Sequence, residues 1–350
     1  LGLISALFAA SGCYWARSSN APVPRLPHPP FDAATADVEG AFSFAVFGDQ
    51  KNLAKNGEWA ALLDQIRALE PRPALLLDTG DIVENGVYTD QFVQLAEILD
   101  RVDDMPYLLA VGNHEIDHDD EDAKGHVVEF LGDAIGRDDF RVDQLYYRKD
   151  VGRLRMLMLD SNALIYPERG NCRERYRIDD GRSADQMAWL AEQLESPWEG
   201  PTLVALHHTI ILSATKHQGH ARCLWNGTYE AYGDRALPEI LIDGGVDLVV
   251  TGHTHTYEVL QLTRGGRSML SVNVSGKSGG SRRARPVRDP KASFADRGWD
   301  MEGWDTVSQG AVMPSGPMVN QFALVTVTGQ GEVDCAIYHL GDASPRSCHP

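Results

Sequence analysis

The 350 residues are 43% hydrophobic and 23% charged, ordinary for a globular protein, and suffice for one large domain or two ordinary ones. A formal net charge of -18 argues against general binding to nucleic acid or anionic membranes, which needs an excess of lysine and arginine. A phosphate-handling site in such a chain must create its own positive charge, and metal ions are the plainest source.

Leu1 to Ala10 is apolar, as long as a signal-peptide core and too short to span a bilayer. No basic segment precedes it, so the chain is expected to begin inside that signal. Ala9-Ala10-Ser11-Gly12-Cys13 sets small residues before a cysteine, as in a bacterial lipobox, where that cysteine carries lipid. Ser18 to Phe31, rich in proline, reads as an extended tether. The expected organisation is a signal remnant and tether over 1–40, then one domain over 41–350 with an irregular insertion at about 277–320. The expected location is the periplasm, or the surface of a bacterium as a lipoprotein. Besides Cys13 there remain Cys172, Cys223, Cys335 and Cys348, an even number suited to two disulfides in an oxidising compartment. Three pairings are open; proximity in the chain favours Cys172–Cys223 and Cys335–Cys348.

Along the chain, Ala41 to Phe47 has a strand pattern and ends in Gly48-Asp49-Gln50-Lys51. Trp59 to Leu69 repeats apolar residues at helical spacing and stops before Pro71. Ala74 to Leu77 is a short buried strand running into Asp78-Thr79-Gly80-Asp81, and a helix over Asp90 to Asp100 follows. Tyr107 to Val111 is a third strand, ending in Gly112-Asn113-His114-Glu115. This alternation predicts a layered α/β domain with the strands' carboxyl ends on one rim. Asp117 to Asp122 reads as a solvated acidic loop, with calcium binding the alternative. Arg155 to Leu159 is a strand; Ser183 to Leu194 is a helix, with Ser183 as its cap and Trp189 in the core. Thr202 to Leu206 is a strand ending in His207-His208. A helix over Arg235 to Ile242 precedes the strand Val246 to Val250, which ends in Thr251-Gly252-His253-Thr254-His255. Strands at Ser268 to Val274, Phe322 to Val327 and Val333 to His339 complete the pattern.

Asp49, Asp81, Asn113, His207, His253 and His255 all fall just after apolar strands. An aspartate there is often a helix cap and a lone histidine often a core residue, but six together point to metal. Mixed oxygen and imidazole donors suit Mn, Fe or Zn better than calcium. Two such ions about 3.5–4 Å apart can share a carboxylate, and Asp81 is central enough to be the shared one.

The motifs GDxxxxG (GDIVENG), GNHE and GHTH, in this order and after strands, resemble the calcineurin-like metallophosphoesterase family, its acid-phosphatase-like members included, over about Ala41 to Leu260. The resemblance implies a four-layer αββα sandwich of two mixed β-sheets flanked by helices. It implies two divalent or trivalent metal ions (Mn, Fe or Zn), one held by Asp49, Asp81 and His255, the other by Asp81, Asn113, His207 and His253. It implies hydrolysis of small phosphomonoesters or phosphodiesters by a metal-held hydroxide, with Asp81 and His114 catalytic and His114 protonating the leaving group. His208, and Lys216, His217 and His220 in a stretch resembling SSGxHG, are then substrate contacts; a solvated loop is the alternative for the last three.

The first motif departs from the pattern. The usual GDxH reads Gly48-Asp49-Gln50-Lys51, and a protonated lysine cannot ligate. The first site then keeps its ion with water in the gap, stands weak or empty and leaves a single metal, or has Lys51 in it as a phosphate contact. The tyrosine that purple acid phosphatases place three residues after the shared aspartate is Glu84. The basic run Ser281 to Lys291 reads as an exposed loop or a guide for anions, and Trp299 and Trp304 as core packing or a lid. The expected partner is a small phosphorylated substrate and the expected state a monomer, with no nucleic acid and no membrane contact beyond lipid at Cys13. The rival readings are a non-catalytic scaffold of the same fold, and a nucleotidase or cyclic-nucleotide phosphodiesterase.

Overall fold

The computed structural model describes residues 22–36, 38–51, 57–117, 119–165, 181–214, 217–276, 287–312, 320–342 and 344–349. Its first strands are β1 (Phe42–Phe47), β2 (Leu76–Asp78), β3 (Tyr107–Leu109), β4 (Tyr147–Val151) and β5 (Leu154–Leu159). Next come β6 (Thr202–Leu206), the short β7 (Thr228–Tyr229) and β8 (Arg235–Ala236), β9 (Leu248–Thr251), β10 (Tyr257–Arg264) and β11 (Arg267–Val274). The last are β12 (Thr306–Val312), β13 (Gln321–Val327), β14 (Val333–His339) and β15 (Arg346–Ser347).

Six strands form one mixed sheet in the order β15-β14-β13-β1-β2-β3, and seven form another, β12-β10-β11-β9-β6-β5-β4. Within them β1, β2 and β3 run parallel, as do β5, β6, β9 and β11, so seven carboxyl ends point toward one rim. Side chains alternate across a strand, so a sheet covered on both faces must be apolar on both. In β5, β6 and β9 one set (Met156, Met158, Leu203, Ala205, Leu248, Val250) joins the cluster that contains the first sheet's Phe44, Val46 and Leu77. The intervening Leu157, Leu159, Val204, Leu206 and Val249 join a second cluster with Met187, Leu224 and Ile240 from helices. Helices Gly57–Arg67, Thr89–Leu99 and Glu121–Ile135 bury Leu62, Phe92 and Phe130 in the first cluster. The four-layer αββα sandwich implied by the motifs is the observed architecture.

Several local expectations are corrected. The acidic run at 117–122 does not stay in a loop. Asp120 caps helix Glu121–Ile135, accepting from the Ala123 amide at 3.0 Å, and Glu121 and Asp122 occupy its first turn, where the helix dipole favours anions. Ser183 lies inside helix Gly181–Glu195 rather than capping it, and Trp189 is only half-buried, against Tyr146. Arg235 and Ala236 pair with β7, and the helix begins after them at Leu237. Of the tether, residues 22–36 lie against the domain: Val23, Leu26 and Phe31 are buried, and the Leu26 amide donates to the Phe130 carbonyl. Prolines there remove backbone donors but still dock apolar side chains. The stretch read as an irregular insertion contributes helix Pro290–Ala295 and β12, which pairs with β10. Trp299 and Trp304 are core, packed on Trp225 with ring centroids 5.9 and 4.7 Å away. Residues 281–286 of the basic run, Cys13 and Cys172 lie outside the described residues.

Cys335 and Cys348 form a disulfide that ties β14 to the end of β15. A bridge across 13 residues restrains the unfolded chain by about 3 kcal/mol. Replacing both cysteines by serine is therefore expected to lower the urea midpoint and to raise the slope of the transition slightly, because the released chain exposes more surface when unfolded.

Candidate metal centre

Each expected ligand sits one to four residues past a strand. Asp49 follows β1, Asp81 follows β2, Asn113 follows β3, His207 follows β6, and His253 and His255 follow β9. The loops are tied by main-chain bonds: Asp49 N–H to the Gly80 carbonyl (2.8 Å), Gly252 N–H to the His207 carbonyl (2.9 Å) and Gly276 N–H to the Gly48 carbonyl (2.7 Å). Asp49, Asp81, His253 and His255 hold left-handed backbone, with φ of 58°, 59°, 70° and 57°. Side-chain-bearing residues avoid that region, and such strain gathers at functional sites. Gly252 allows the close approach: a Cβ there would lie 2.6 Å from Thr79 Oγ1 and 2.8 Å from Asp49 Oδ2.

The donors converge. His207 Nε2 lies 3.1 Å from His253 Nδ1 and 3.3 Å from Asp81 Oδ1. The Asn113 amide oxygen is buried without a hydrogen-bond partner among the described residues, and the amide of the next residue, His114, donates to Asp81 Oδ1 at 3.2 Å. Donor atoms of Asp49, Asp81 and His255 form a second group, all within 4.8 Å of one another, with His255 Nε2 3.5 Å from Asp49 Oδ1. Each has support behind it. His207 Nδ1 meets the Thr79 carbonyl at 2.7 Å; a carbonyl only accepts, so the proton is on Nδ1 and the Nε2 lone pair faces the site. Asp49 Oδ2 accepts from the His253 amide at 2.8 Å and from the Ser275 hydroxyl.

Lys51 is not at a rim. Its ammonium contacts Asp81 Oδ2 at 2.6 Å, with the two side chains 8% and 1% exposed. His114 donates from Nδ1 to the Glu84 carbonyl at 2.5 Å, and its Nε2 lies 3.9 Å from Asp81 Oδ2. His208 is fully buried, its Nδ1 2.9 Å from Ser161 Oγ and its ring centroid 4.2 Å from that of His253 with the planes tilted by 54°, so it backs His253 rather than reaching toward solvent. The half-buried His217 and His220 flank the other side of His253; His220 Nδ1 meets His253 Nε2 at 2.9 Å, and the His217 ring is 4.1 Å from that of His253. Lys216 lies outside the described residues. Asp78 stays out of the group, bonded to the Tyr107 hydroxyl and the Gly80 amide.

Sequence reasoning missed Glu115 and Ser275. Glu115 is buried and accepts four backbone N–H bonds, from Asp81, Ile82, Val83 and Gly112, at 2.7 to 3.3 Å. It thus fastens the loop after β2 to the loop after β3. Its place beside Asn113 in GNHE was visible; its role as a clamp for amides was not.

Electrostatics follow burial. Desolvation and the Asp81 charge hold Asp49 well above the usual carboxylate range. Asp81 is buried too, but His207, Lys51 and His114 more than offset that and hold it far below. Burial lowers His207, and burial reinforced by neighbouring imidazoles lowers His208 and His253 further. Burial and the Asp81 carboxylate push Glu115 up to about 7.

These shifts predict that stability depends on pH once metal is removed by chelation. A histidine with a folded pKa below its free value takes up protons first in the unfolded chain, so its contribution to stability falls as pH drops below about 6.5. The slope reaches roughly 1.4 kcal/mol per pH unit for each of His207, His208 and His253. Glu115 acts in the opposite sense between about 7 and its free value of 4.5, and Asp49 and Asp78, both held well above the usual carboxylate range by burial, act with it. His208→Asn removes one of the three histidines and leaves the carboxyls in place, so between about pH 7.5 and 5.5 the melting temperature of the chelated variant is expected to drop less, or rise more, than that of the chelated wild type, by one histidine's share.

The profile of the calcineurin-like phosphoesterase family matches residues 42–257, more than half of the chain. Purple acid phosphatase 18 of Arabidopsis thaliana is 26% identical over 289 residues, covering 76% of this chain and 56% of that protein. A probable cyclic nucleotide phosphodiesterase of Rhodococcus erythropolis is 27% identical over 201 residues, 55% of each chain. The chain spans about half the length of these relatives. Among solved structures, a purple acid phosphatase from yellow lupin seeds superposes with a TM-score of 0.60 at 15% identity, covering 89% of this chain and 53% of that one. The anchor in the inner membrane complex of Plasmodium superposes with 0.56 at 13% identity, covering 88% and 89%. On the matched profile, with its ligands gathered on one rim, the chain belongs to the calcineurin-like phosphoesterase family.

Proposed function

We propose that this protein is a metal-dependent hydrolase of small phosphomonoesters or phosphodiesters. The observation that carries the reading is the convergence of Asp81 Oδ1, His207 Nε2 and His253 Nδ1, with a buried Asn113 oxygen on the adjoining loop that lacks a hydrogen-bond partner among the described residues. A buried acceptor left unsatisfied is costly, and a cation would satisfy it. A carboxylate, an amide oxygen and two imidazoles fit Mn, Fe or Zn, and these four residues would hold such an ion. When bound, the ion supplies Lewis acidity toward phosphoryl oxygens and acidifies water. Membership of a phosphoesterase family and the purple acid phosphatase relatives support that chemistry.

The chain's own residues supply orientation and protons. Thr79 holds the His207 ring in the tautomer that turns a lone pair inward. The Glu84 carbonyl accepts a hydrogen bond from Nδ1–H of His114, which leaves Nε2 turned to the site, and the imidazolium form delivers its Nε2 proton to a departing alkoxide. His217 and His220, half-buried around His253, contact the substrate phosphate. The relative named as a probable cyclic nucleotide phosphodiesterase makes cyclic diesters a substrate class to test. A scaffold without turnover is the second reading, and the Lys51–Asp81 ion pair at a ligand favours it. Export, with lipid at Cys13, is our reading of residues 1–13; the Cys335–Cys348 bridge suits an oxidising compartment.

Assays of p-nitrophenyl phosphate, bis(p-nitrophenyl) phosphate and cyclic AMP, on chelated protein with and without added Mn or Zn, test the reading. Metal-restored turnover of at least one ester is expected; bound metal with no turnover of any would leave the scaffold. His114→Ala is expected to cut kcat by about 100-fold or more with metal content intact. Asn113→Ala should instead lower metal content.

A further inference from the structure

We propose that the Lys51 ammonium permanently takes the first of the two cation positions, so that this centre binds one metal ion and not two. The inference rests on the metal-site reading above and concerns how many ions the site holds.

Asp81 divides its two oxygens. Oδ1 faces His207 Nε2 at 3.3 Å and accepts the His114 amide at 3.2 Å, on the side where His253 and Asn113 gather. Oδ2 faces the other way and receives Lys51 Nζ at 2.6 Å. A carboxylate shared by two cations has this arrangement, with an ammonium at one end. The charge is built in, since both side chains are almost wholly buried.

The first position keeps other donors, Asp49 Oδ1 being buried without a hydrogen-bond partner among the described residues and the donor atoms of Asp49, Asp81 and His255 lying within 4.8 Å of one another, so it is the ammonium that excludes an ion there. Asp49 Oδ2 is engaged by the His253 amide and the Ser275 hydroxyl, and Oδ1 is opposed by His255 Nε2 at 3.5 Å. An entering ion would find Asp49 Oδ1, His255 Nε2 and an Asp81 oxygen already held by a cation. The second position offers Asp81 Oδ1, Asn113, His207 and His253 with no ammonium among them. Lysine keeps a fixed positive charge where a second ion would lie, and that charge offsets the carboxylate of Asp81.

Elemental analysis of the full chain, loaded with excess Mn(II) and desalted, tests the proposal. One ion per chain is expected for the wild type, with the electron paramagnetic resonance pattern of an isolated ion. Lys51→Met, which keeps the volume without the charge, and Lys51→His, which adds an imidazole, are expected to take up a second ion and show an exchange-coupled pair. Two ions in the wild type would overturn this inference and leave the hydrolase reading standing. One ion in the wild type and still one in both folded variants would show that Lys51 is not what excludes the second, and would overturn it equally. No ion in any form would remove the metal-site reading and this inference with it. The wild-type spectrum decides between one ion and two even if neither variant folds.

Discussion

Asp81 is the constraint around which the site is arranged. It is a buried carboxylate between two sheets, and a buried charge persists only when its surroundings replace the water it lost. Glu115 takes its amide, Lys51 takes one oxygen, and the His114 amide and the edge of His207 take the other. These groups come from three loops besides that of Asp81 itself, after β1, β3 and β6, so the requirement that Asp81 be compensated also sets where β1, β2, β3 and β6 must end. The same requirement explains why Asp49, one loop away, is driven toward its neutral form. Two uncompensated carboxylates cannot share one buried volume.

The site is expensive in backbone terms. Four of the six expected ligands adopt left-handed φ, at roughly 1–2 kcal/mol each. Their sum is a sizeable part of the 5–15 kcal/mol that separates a typical folded domain from its unfolded chain. It is tolerated because the loops are short and crosslinked, and because the sandwich beneath them buries both faces of its central strands. The rigid layers position the ends; the ends then need only a few hydrogen bonds to hold strained angles. A mobile loop could not keep His253 and His255, two residues apart, aimed at separate groups of donors.

Much of this was legible in the amino-acid pattern. Every expected ligand lay after a short apolar run, because parallel strands buried on both faces must be apolar throughout and must end where polar residues begin. The sandwich and the convergence of Asp81, His207 and His253 follow from that pattern together with GDIVENG, GNHE and GHTH. Illegible were the features that depend on pairing across long stretches of chain. The cross-bond of Ser275 to Asp49 spans 226 residues, and no local signal marks it. Helix Glu121–Ile135 was hidden by acidic residues that turn out to form its cap and first turn. Lys51 was readable as an anomaly, but whether it pointed outward to substrate or inward to Asp81 depended on the loop's path.

That direction decides the electrostatics. A divalent ion about 4 Å from an ammonium meets repulsion of about 8 kcal/mol at an effective dielectric of about 20, twice the unit-charge value. An ion at the first position has to overcome that or expel the ammonium, and it has Asp49 Oδ1 and His255 Nε2 as its other donors there. An ion at the second position meets Asp81 Oδ1 and three neutral ligands, and Lys51 repels it from the far side of the carboxylate. The second position therefore fills at lower metal concentration. Once filled, it draws on the charge of Asp81 and adds its own positive field, so the first position becomes harder still to fill. On the reading proposed above, an ion at the second position would supply the net positive charge that a phosphoester requires in a chain of net charge -18, with Lys51 balancing Asp81.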